Sequence, residues 1–527
     1  MSSLSELLYE KLKIYDLLTA LKCGNRTISY AELNSKALAI ASLLIDKGAR
    51  SEAVGILGQR TVDSYFGVLG TIYAGCYWVP INSKYTNERI ISIIKSTNIK
   101  YLIGDKNIIE LIMPILESNN LLPLKLIIVP EGESKTGQDW IGSKQLEKIV
   151  SINLPISCID NSLAYIMFTS GSTGMPKGVK VTQANVKAWL ASMSSYYQFD
   201  TGFIASQTYD LSFDLSVADI IFTWMNGGVL SVLSPEENLM PFDYIIREKI
   251  QLWSSVPTLI AFMYKMGLLE PNIFPDISVS IFCGEPLPKY LADAWQIAAP
   301  NSTIENLYGP TEATIWLTRY IYSNEKRSKS FTNSILPIGL PFPDHVVEII
   351  SDDGKILVPG QTGEIVYKGP QITAGYFNDP SATELAFLKF NWDSSGSIWY
   401  RSGDLGFFNS EGNLECIGRK DGQFKLGGRR IEVGEIEAVL RRYSETLDAV
   451  VVPMRDDAGI VNTIVAFITS EISKDQELKI REDSVQFLER MFFPKIIFSI
   501  NAFPLTSSGK IDRKALALFA KEKRLIN

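Results

Sequence analysis

The segment Thr169-Ser170-Gly171-Ser172-Thr173-Gly174-Met175-Pro176-Lys177-Gly178 gathers three glycines, four hydroxyls and one lysine directly after the apolar run Leu163 to Phe168. Glycines let the backbone turn its N–H groups toward one point, hydroxyls add donors without bulk, and the lysine adds a mobile positive charge. The chemistry that wants this combination is the holding of phosphate oxygens. The spacing differs from the common P-loop, in which Gly-Lys is followed at once by Ser or Thr and opens a helix; here Lys177 follows Pro176 and precedes Gly178. The expectation is a loop that covers a nucleotide without starting a helix at that point. A flexible surface loop would account for Gly and Ser but not for this ordered string.

Four more chemistry-bearing segments follow in order. They are Asn306-Leu307-Tyr308-Gly309-Pro310-Thr311-Glu312-Ala313-Thr314, Tyr400-Arg401-Ser402-Gly403-Asp404-Leu405-Gly406, Gly418-Arg419-Lys420-Asp421-Gly422-Gln423-Phe424-Lys425-Leu426-Gly427-Gly428, and Pro504-Leu505-Thr506-Ser507-Ser508-Gly509-Lys510-Ile511-Asp512-Arg513. With the glycine-rich segment they resemble, in content and order, the motifs of the adenylate-forming superfamily. That superfamily includes acyl-CoA synthetases, luciferases and the amino-acid adenylation domains of nonribosomal peptide synthesis. The likeness covers nearly the whole chain.

The reaction the resemblance implies brings a weak carboxylate nucleophile to a phosphate ester already carrying several negative charges. Fixed cations and preorganised donors in a water-poor site can supply several kcal/mol against that repulsion. By resemblance, Lys510 bridges the carboxylate and the α-phosphate, Lys177 with Thr169, Ser170, Gly171, Ser172, Thr173 and Gly174 holds the β,γ-phosphates, and Glu312 binds Mg²⁺. ATP and Mg²⁺ are therefore the expected cofactors. Tyr308 offers a flat face for adenine, with Gly284-Glu285-Pro286 as the opposite wall; Asp404, helped by Arg419, would take the ribose hydroxyls, and Asn306, Gly309 and Thr311 complete the nucleotide set.

Phe213-Asp214-Leu215-Ser216-Val217 matches the motif in which amino-acid-activating members set an aspartate against the substrate's α-ammonium. A buried unpaired carboxylate is costly, so a substrate cation is its natural partner. The alternative reading has Asp214 capping the helix that starts nearby. The family's pocket positions fall on Asp214, Leu215, Ala218, Ser254, Ile281, Cys283, Leu307, Ile315 and Trp316. Apart from Asp214 this wall is uncharged and mostly apolar, which suits a small or medium neutral amino acid. Phe282-Cys283-Gly284-Glu285 resembles D-alanine activators that load carrier proteins. Leu215, Ile281, Ile315 and Trp316 offer more apolar surface than one methyl can use, and Ser212 to Ser216 with Phe222-Thr223-Trp224 is similar to proline activators. L-Proline leads, with alanine of either configuration as the alternative. A carboxylic-acid CoA ligase is the enzymatic runner-up; Asp214 and the lack of a recognisable basic patch for a nucleotide tail speak against it. A catalytically silent scaffold of the same fold would have no need of Lys177, Glu312, Asp404, Arg419 and Lys510. No Gly-Gly-x-Ser carrier motif occurs, so the acceptor thiol is expected on a separate phosphopantetheinylated carrier protein. The resemblance further implies that the C-terminal part rotates about Asp421, withdrawing Lys510 and bringing Gly427-Gly428 to the site.

These groups need a scaffold, and the 527 residues are too many for one ordinary core. Up to about residue 420, β-rich runs such as Ala53 to Leu57, Tyr101 to Ile103, Leu126 to Val129 and Ser278 to Cys283 alternate with helical segments such as Tyr30 to Lys47 and Asn87 to Thr97. That alternation predicts parallel sheets faced by helices. From about 331 to 420, short strands with Gly/Asp turns read as an antiparallel sheet or a small barrel-like part. The remainder, 421–527, reads as a small α+β domain with helices over Gly434 to Arg442 and Ser484 to Met491. The predicted class is α/β, with residues 1–420 holding the ATP and amino-acid sites and 421–527 as a mobile domain hinged at Asp421.

Composition narrows the function from the other side. A net charge of −7 argues against broad nucleic-acid binding, and 46% hydrophobic with 21% charged residues is ordinary for a soluble enzyme. Cys23, Cys76, Cys158, Cys283 and Cys416 are scattered and never form a CxxC pair, which fits a reducing cytoplasm with neither a disulfide framework nor a zinc site. The N-terminal segment reads as an amphipathic helix, and no uncharged apolar run approaches the ~20 residues that span a bilayer, so no membrane partner is expected. The single histidine, His345, excludes histidine triads and reads as structural.

Overall fold

The computed structural model describes residues 2–57, 59–135, 139–169, 176–323, 335–420, 423–443, 449–456, 460–469, 473–485, 487–504 and 511–523. Two large sheets form the body of the protein. One has seven strands in the order Trp140–Gly142, Leu126–Val129, Tyr101–Gly104, Ala53–Leu57, Tyr77–Ile81, Leu163–Thr169, Lys177–Thr182. It is parallel apart from the last pair, in which Thr169 faces Lys177 across an antiparallel hairpin. Thr169 and Lys177, the described ends of the predicted phosphate segment, belong to that hairpin.

The second sheet has nine strands, in the order Leu340–Pro341, Thr318–Ile321, Thr303–Tyr308, Val279–Phe282, Leu252–Ser255, Ile204–Gln207, Val229–Val232, Thr19–Cys23, Arg26–Ser29. Its centre is parallel and its two ends antiparallel. Strands buried on both faces read as near-continuous apolar runs, which is why Val279–Phe282 and Ala53–Leu57 do not alternate. The helix Leu215–Met225 is buried along its whole length, as is Val62–Tyr73. Both helices are predominantly apolar and lie in one core with residues of the two sheets. Asp214 is the residue that leads into the first of them.

Residues 346–419 form an antiparallel sheet of Val346–Ile350, Gly363–Lys368, Trp399–Phe408 and Phe387–Leu388, with Leu414–Arg419 also paired to Trp399–Phe408. This part is an open sheet and not the closed barrel the turn-rich pattern allowed. Residues 424–522 form a small α+β unit. It has a hairpin, Phe424–Leu426 with Arg429–Ile431, and a three-stranded sheet of Ala449–Arg455, Val461–Ile468 and Ile496–Ser499. The helix Val433–Tyr443 lies where Gly434 to Arg442 is expected. The helix expected over Ser484 to Met491 is misplaced: a helix runs over Lys474–Ser484 and ends where the expected one begins, followed by a single 3₁₀ turn at Arg490–Phe492. Ser473 accepts from the Gln476 N–H and the Gln476 side chain accepts from Ser473 N–H, a reciprocal start signal that the weakly apolar sequence hides. His345 is buried, with Nδ1 against Pro343 O and Nε2 accepting from Gln371 N–H, a structural setting in which burial lowers its basicity.

Candidate active site

The ends of these strands meet around a cavity of about 520 Å³ lined by Thr169, Asp214, Leu215, Gly284, Glu285, Pro286, Asn306, Leu307, Tyr308, Gly309, Thr311, Asp404 and Arg419, and also by Lys425, Gly428, Arg429 and Glu489 of the C-terminal part. The site is therefore shared by strands from the nine-stranded sheet, the hairpin of the seven-stranded sheet and the C-terminal hairpin. Ligand crevices outside the carboxyl ends of parallel strands are the general rule for such sheets.

At the end predicted to hold the nucleotide the polar groups are already paired with each other or with nearby carbonyls. Asp404 accepts from Arg419 Nη1 at 2.8 Å and from the Tyr308 hydroxyl, and Arg419 also donates to Ser402 O at 2.9 Å. Asp404 and Arg419 face each other in the ladder of adjacent strands, which is how residues 15 apart come to be partners. Asn306 donates to Pro337 O at 2.8 Å. Tyr308 ends its strand with its ring 6.2 Å from that of Tyr367, and burial holds its hydroxyl well above the ordinary tyrosine range. Gly284 has φ +93°, and a Cβ there would lie 3.2 Å from Val256, so the bend that presents Gly284-Glu285-Pro286 to the cavity requires glycine. Glu285, predicted as adenine wall, has a second occupation. Its Oε2 accepts from Thr258 N–H at 3.0 Å and its Oε1 from Gly428 N–H at 2.8 Å.

At the end predicted to hold the amino acid, Asp214 is 6% exposed, and its Oδ2 accepts from Ile315 N–H at 3.1 Å. Its side chain makes no capping bond to the helix it precedes, so the capping reading does not hold. Burial pushes its carboxyl up to about 7, against the opposing effects of Ile315 N–H and the Lys425 charge, with Glu312 adding to the rise. The Ile315 N–H reaches Asp214 because Thr314 and Ile315 both adopt left-handed conformations, φ +54° and +71°. For a β-branched residue that conformation is strained, and Gly309 packs so closely on this loop that a Cβ would lie 2.4 Å from Trp316 Cα.

Of the predicted side-chain pocket, Asp214, Leu215, Cys283 and Leu307 line the cavity. Ala218, Ser254, Ile281, Ile315 and Trp316 are buried and do not line it. Trp316 packs edge-on to Trp189 at 5.9 Å and donates Nε1–H to Met193 Sδ. Burial pushes the Cys283 thiol up to about 12, which leaves it protonated and unreactive at neutral pH.

Thr169 and Lys177 are paired at the end of the hairpin that flanks the predicted phosphate segment; Ser170, Gly171, Ser172, Thr173 and Gly174 lie outside the described residues, as do Asp421 and Lys510. Lys177 Nζ stands 5.5 Å from the ring centre of Tyr376, whose hydroxyl donates to Glu312 Oε1 at 2.8 Å. Glu312 is 1% exposed and sits in a short 3₁₀ turn, Thr311–Ala313. Among the described residues no group of three or more His, Cys, Asp or Glu could cage a metal by itself. One buried carboxylate, joined through Tyr376 to the Lys177 end of the hairpin, fits Mg²⁺, which prefers one or two carboxylates together with substrate phosphates.

The C-terminal hairpin supplies the remaining wall. Lys425 Nζ lies 6.0 Å over the Tyr308 ring, and Gly427 and Gly428 turn with φ +58° and +77°. A Cβ at Gly428 would stand 2.7 Å from Val256 Cγ1. Arg429 pairs with Glu489 and places its guanidinium 5.7 Å from the Phe213 ring. Lys425, Arg429 and Tyr376 are site residues that the sequence reading passed over. Lys425 lies inside the Gly418 to Gly428 motif and Arg429 directly follows it; Tyr376 has no signal beyond following Gly375.

The family model described as AMP-binding enzyme matches residues 14–377. Tyrocidine synthase 2 of Brevibacillus parabrevis is 31% identical over 98% of this chain, which spans 14% of that protein; the chain covers under half the length of the gramicidin and tyrocidine synthases it matches. The D-alanine--D-alanyl carrier protein ligase of Bacillus velezensis is 28% identical over 94% of this chain and 95% of its own length. Among solved structures, the Vibrio cholerae adenylation domain AlmE, in complex with glycyl-adenosine-5'-phosphate, aligns with a TM-score of 0.88 at 27% identity, covering 99% of this chain and 98% of that one. With the motifs in order, the crevice between the sheets and these relatives, the chain belongs to the AMP-binding enzyme family, the adenylate-forming superfamily.

Proposed function

We propose that this protein uses ATP to activate a small neutral amino acid as its adenylate, then passes the aminoacyl group to the phosphopantetheine thiol of a separate carrier protein. Asp214 carries the reading. A buried carboxylate at the inner end of the cavity, pushed up to about 7 by burial, is a site built for a cation, and an α-ammonium is the cation an amino acid brings. The carboxylate oxygen attacks the α-phosphorus and pyrophosphate leaves. The carrier thiolate then attacks the aminoacyl carbonyl and AMP leaves.

In this reading Tyr308 and residues 284–286 flank adenine, and Asp404 exchanges its Tyr308 and Arg419 contacts in part for the ribose hydroxyls. Lys177, Thr169 and the loop hydroxyls hold the β,γ-phosphates, and Lys510 bridges carboxylate and α-phosphate. Glu312 would hold Mg²⁺, which would neutralise charge on the phosphate oxygens. Residues 1–420 and 421–527 act as two domains hinged at Asp421. The contact of Gly428 with Glu285 supports an orientation suited to the second half-reaction, since it sets the Gly427-Gly428 turn beside the cavity. The D-alanine carrier ligase, of similar length, supports a carrier acceptor. ATP and a reduced acceptor thiol make the cytoplasm the natural setting, and natural-product assembly the natural pathway class.

L-Proline leads by the likeness of Ser212 to Ser216 with Phe222-Thr223-Trp224 to proline activators; of the apolar surface expected to favour it, Leu215, Ile281, Ile315 and Trp316, only Leu215 lines the cavity. Alanine is favoured by that same observation: of the predicted pocket positions, Asp214, Leu215, Cys283 and Leu307 line the open cavity, and Ile281, Ile315 and Trp316 do not. ATP–pyrophosphate exchange across the amino acids in both configurations tests both. Exchange above background for proline or alanine supports the reading, and exchange confined to large or charged amino acids overturns it.

A further inference from the structure

We propose that Tyr376 is a positioning residue for the phosphate end of the site, setting the Glu312 carboxylate with its hydroxyl and the resting place of Lys177 with its ring. This rests on the reading of Glu312 as the Mg²⁺ carboxylate and Lys177 as the phosphate lysine. Tyr376 is 6% exposed, its hydroxyl donates to Glu312 Oε1 at 2.8 Å, and the Lys177 ammonium stands 5.5 Å from its ring centre. One side chain thus touches both groups that would meet Mg²⁺·ATP.

The backbone around it is tied to the same two elements. Lys180 N–H donates to Gly375 O at 3.0 Å and Phe377 N–H to Gly178 O at 2.7 Å, which pairs this segment with the strand leaving the phosphate loop. Thr373 N–H donates to Glu312 O at 3.0 Å, so the segment holds the main chain of the glutamate as well as its carboxylate. Tyr376 N–H donates to Thr383 Oγ1 at 2.9 Å, and Gly375 has φ +89° with space for a Cβ denied by Thr383 Cγ2 at 2.3 Å. The ring is wedged edge-on against Phe387 at 5.8 Å. A phenol held this firmly restricts rotation of the carboxylate it contacts. The ring face attracts the ammonium until phosphate oxygens compete for it. Partners that orient a metal ligand are typically worth 10–100-fold in metal affinity or activity.

The competing view is a core tyrosine that merely satisfies its hydroxyl. The full chain with a non-hydrolysable ATP analogue and Mn²⁺, followed by electron paramagnetic resonance, separates the two. Tyr376→Phe is expected to keep its melting temperature within a few degrees, to weaken Mn²⁺ binding about 10–100-fold, and to raise the Mg²⁺ concentration for half-maximal pyrophosphate exchange in proportion. Tyr376→His, which keeps a donor on an aromatic ring, should recover part of the loss, and remains a usable test if the phenylalanine variant does not fold. Glu312→Gln is the reference. If it weakens Mn²⁺ binding and Tyr376→Phe does not, Tyr376 has no positioning role. If Glu312→Gln itself binds Mn²⁺ normally, the reading of Glu312 fails and the role of Tyr376 falls with it.

Discussion

The proposed nucleotide end and the proposed amino-acid end of the cavity are built on opposite principles. At the nucleotide end Asp404, Arg419, Tyr308 and Asn306 are bonded to one another or to nearby carbonyls, so each charge is compensated before a ligand arrives. At the other end Asp214 is buried, with the Ile315 N–H reaching Oδ2 and Thr311 and the Lys425 charge acting on it, and burial still pushes its carboxyl up to about 7. A ligand at the first end exchanges hydrogen bonds, whereas a ligand at the second supplies a missing charge. Partner exchange between good hydrogen bonds nets little, while meeting a desolvated charge is worth much more. The difference implies that ATP binding tolerates substitutions at the inner end, and that discrimination between amino acids and other acids resides in Asp214.

The largest effect is expected from Asp214→Ala. Removing one partner of a buried charge pair costs about 2–5 kcal/mol, roughly thirtyfold to a few thousandfold in kcat/KM for the amino acid, while the affinity for ATP stays unchanged. Equilibrium binding of ATP and pyrophosphate exchange, measured on the same preparation, check both halves. Lys510→Ala is expected to slow adenylation by about 10²- to 10³-fold yet spare transfer from a pre-formed aminoacyl adenylate, because its charge matters while carboxylate meets phosphate. Equal loss in both half-reactions would remove that role.

Gly428→Ala comes next. The left-handed turn and the 2.7 Å approach to Val256 leave no room for a Cβ in the docked orientation, so transfer to a carrier should fall about 10- to 100-fold with exchange near the parent rate. Loss of exchange to the same degree would show that the turn serves adenylation instead. The smallest effect is that of pH. With its carboxyl at about 7, Asp214 is neutral in more acidic solution, so KM for the amino acid should rise as pH falls below 7, approaching about tenfold per unit. For stability the sign is reversed: unfolding lets this carboxyl ionise near its ordinary value, the native state binds more protons between there and about 7, and its contribution to stability declines as pH rises through that window. Asp214→Asn should flatten both dependences.

The same comparison explains what could be read in advance. Asp404 and Arg419 stand inside their motifs, the strand of the phosphate hairpin is a plain apolar run, and Asp214 follows Phe213 ahead of a predominantly apolar helix. Local pattern carries each of these. The contact of Ile315 N–H with Asp214 depends on two left-handed residues 101 positions away, and the bond from Gly428 to Glu285 spans 143 positions. Tyr376 meets Glu312 only because its segment pairs with the strand after the phosphate loop. Long-range pairing of this kind leaves no periodicity. The depth of the amino-acid pocket was illegible for a related reason: which of Ile281, Ile315 and Trp316 reach the open space is decided by how Trp316 packs on Trp189 and Met193, not by residue type.

The claim that Asp214 selects for an α-ammonium is tested most directly by comparing each amino acid with its des-amino acid in ATP–pyrophosphate exchange: L-proline with cyclopentanecarboxylate, and alanine with propionate. The account predicts exchange with the amino acid and a loss of at least about thirtyfold with the des-amino acid. Equal exchange for both members of a pair would contradict it.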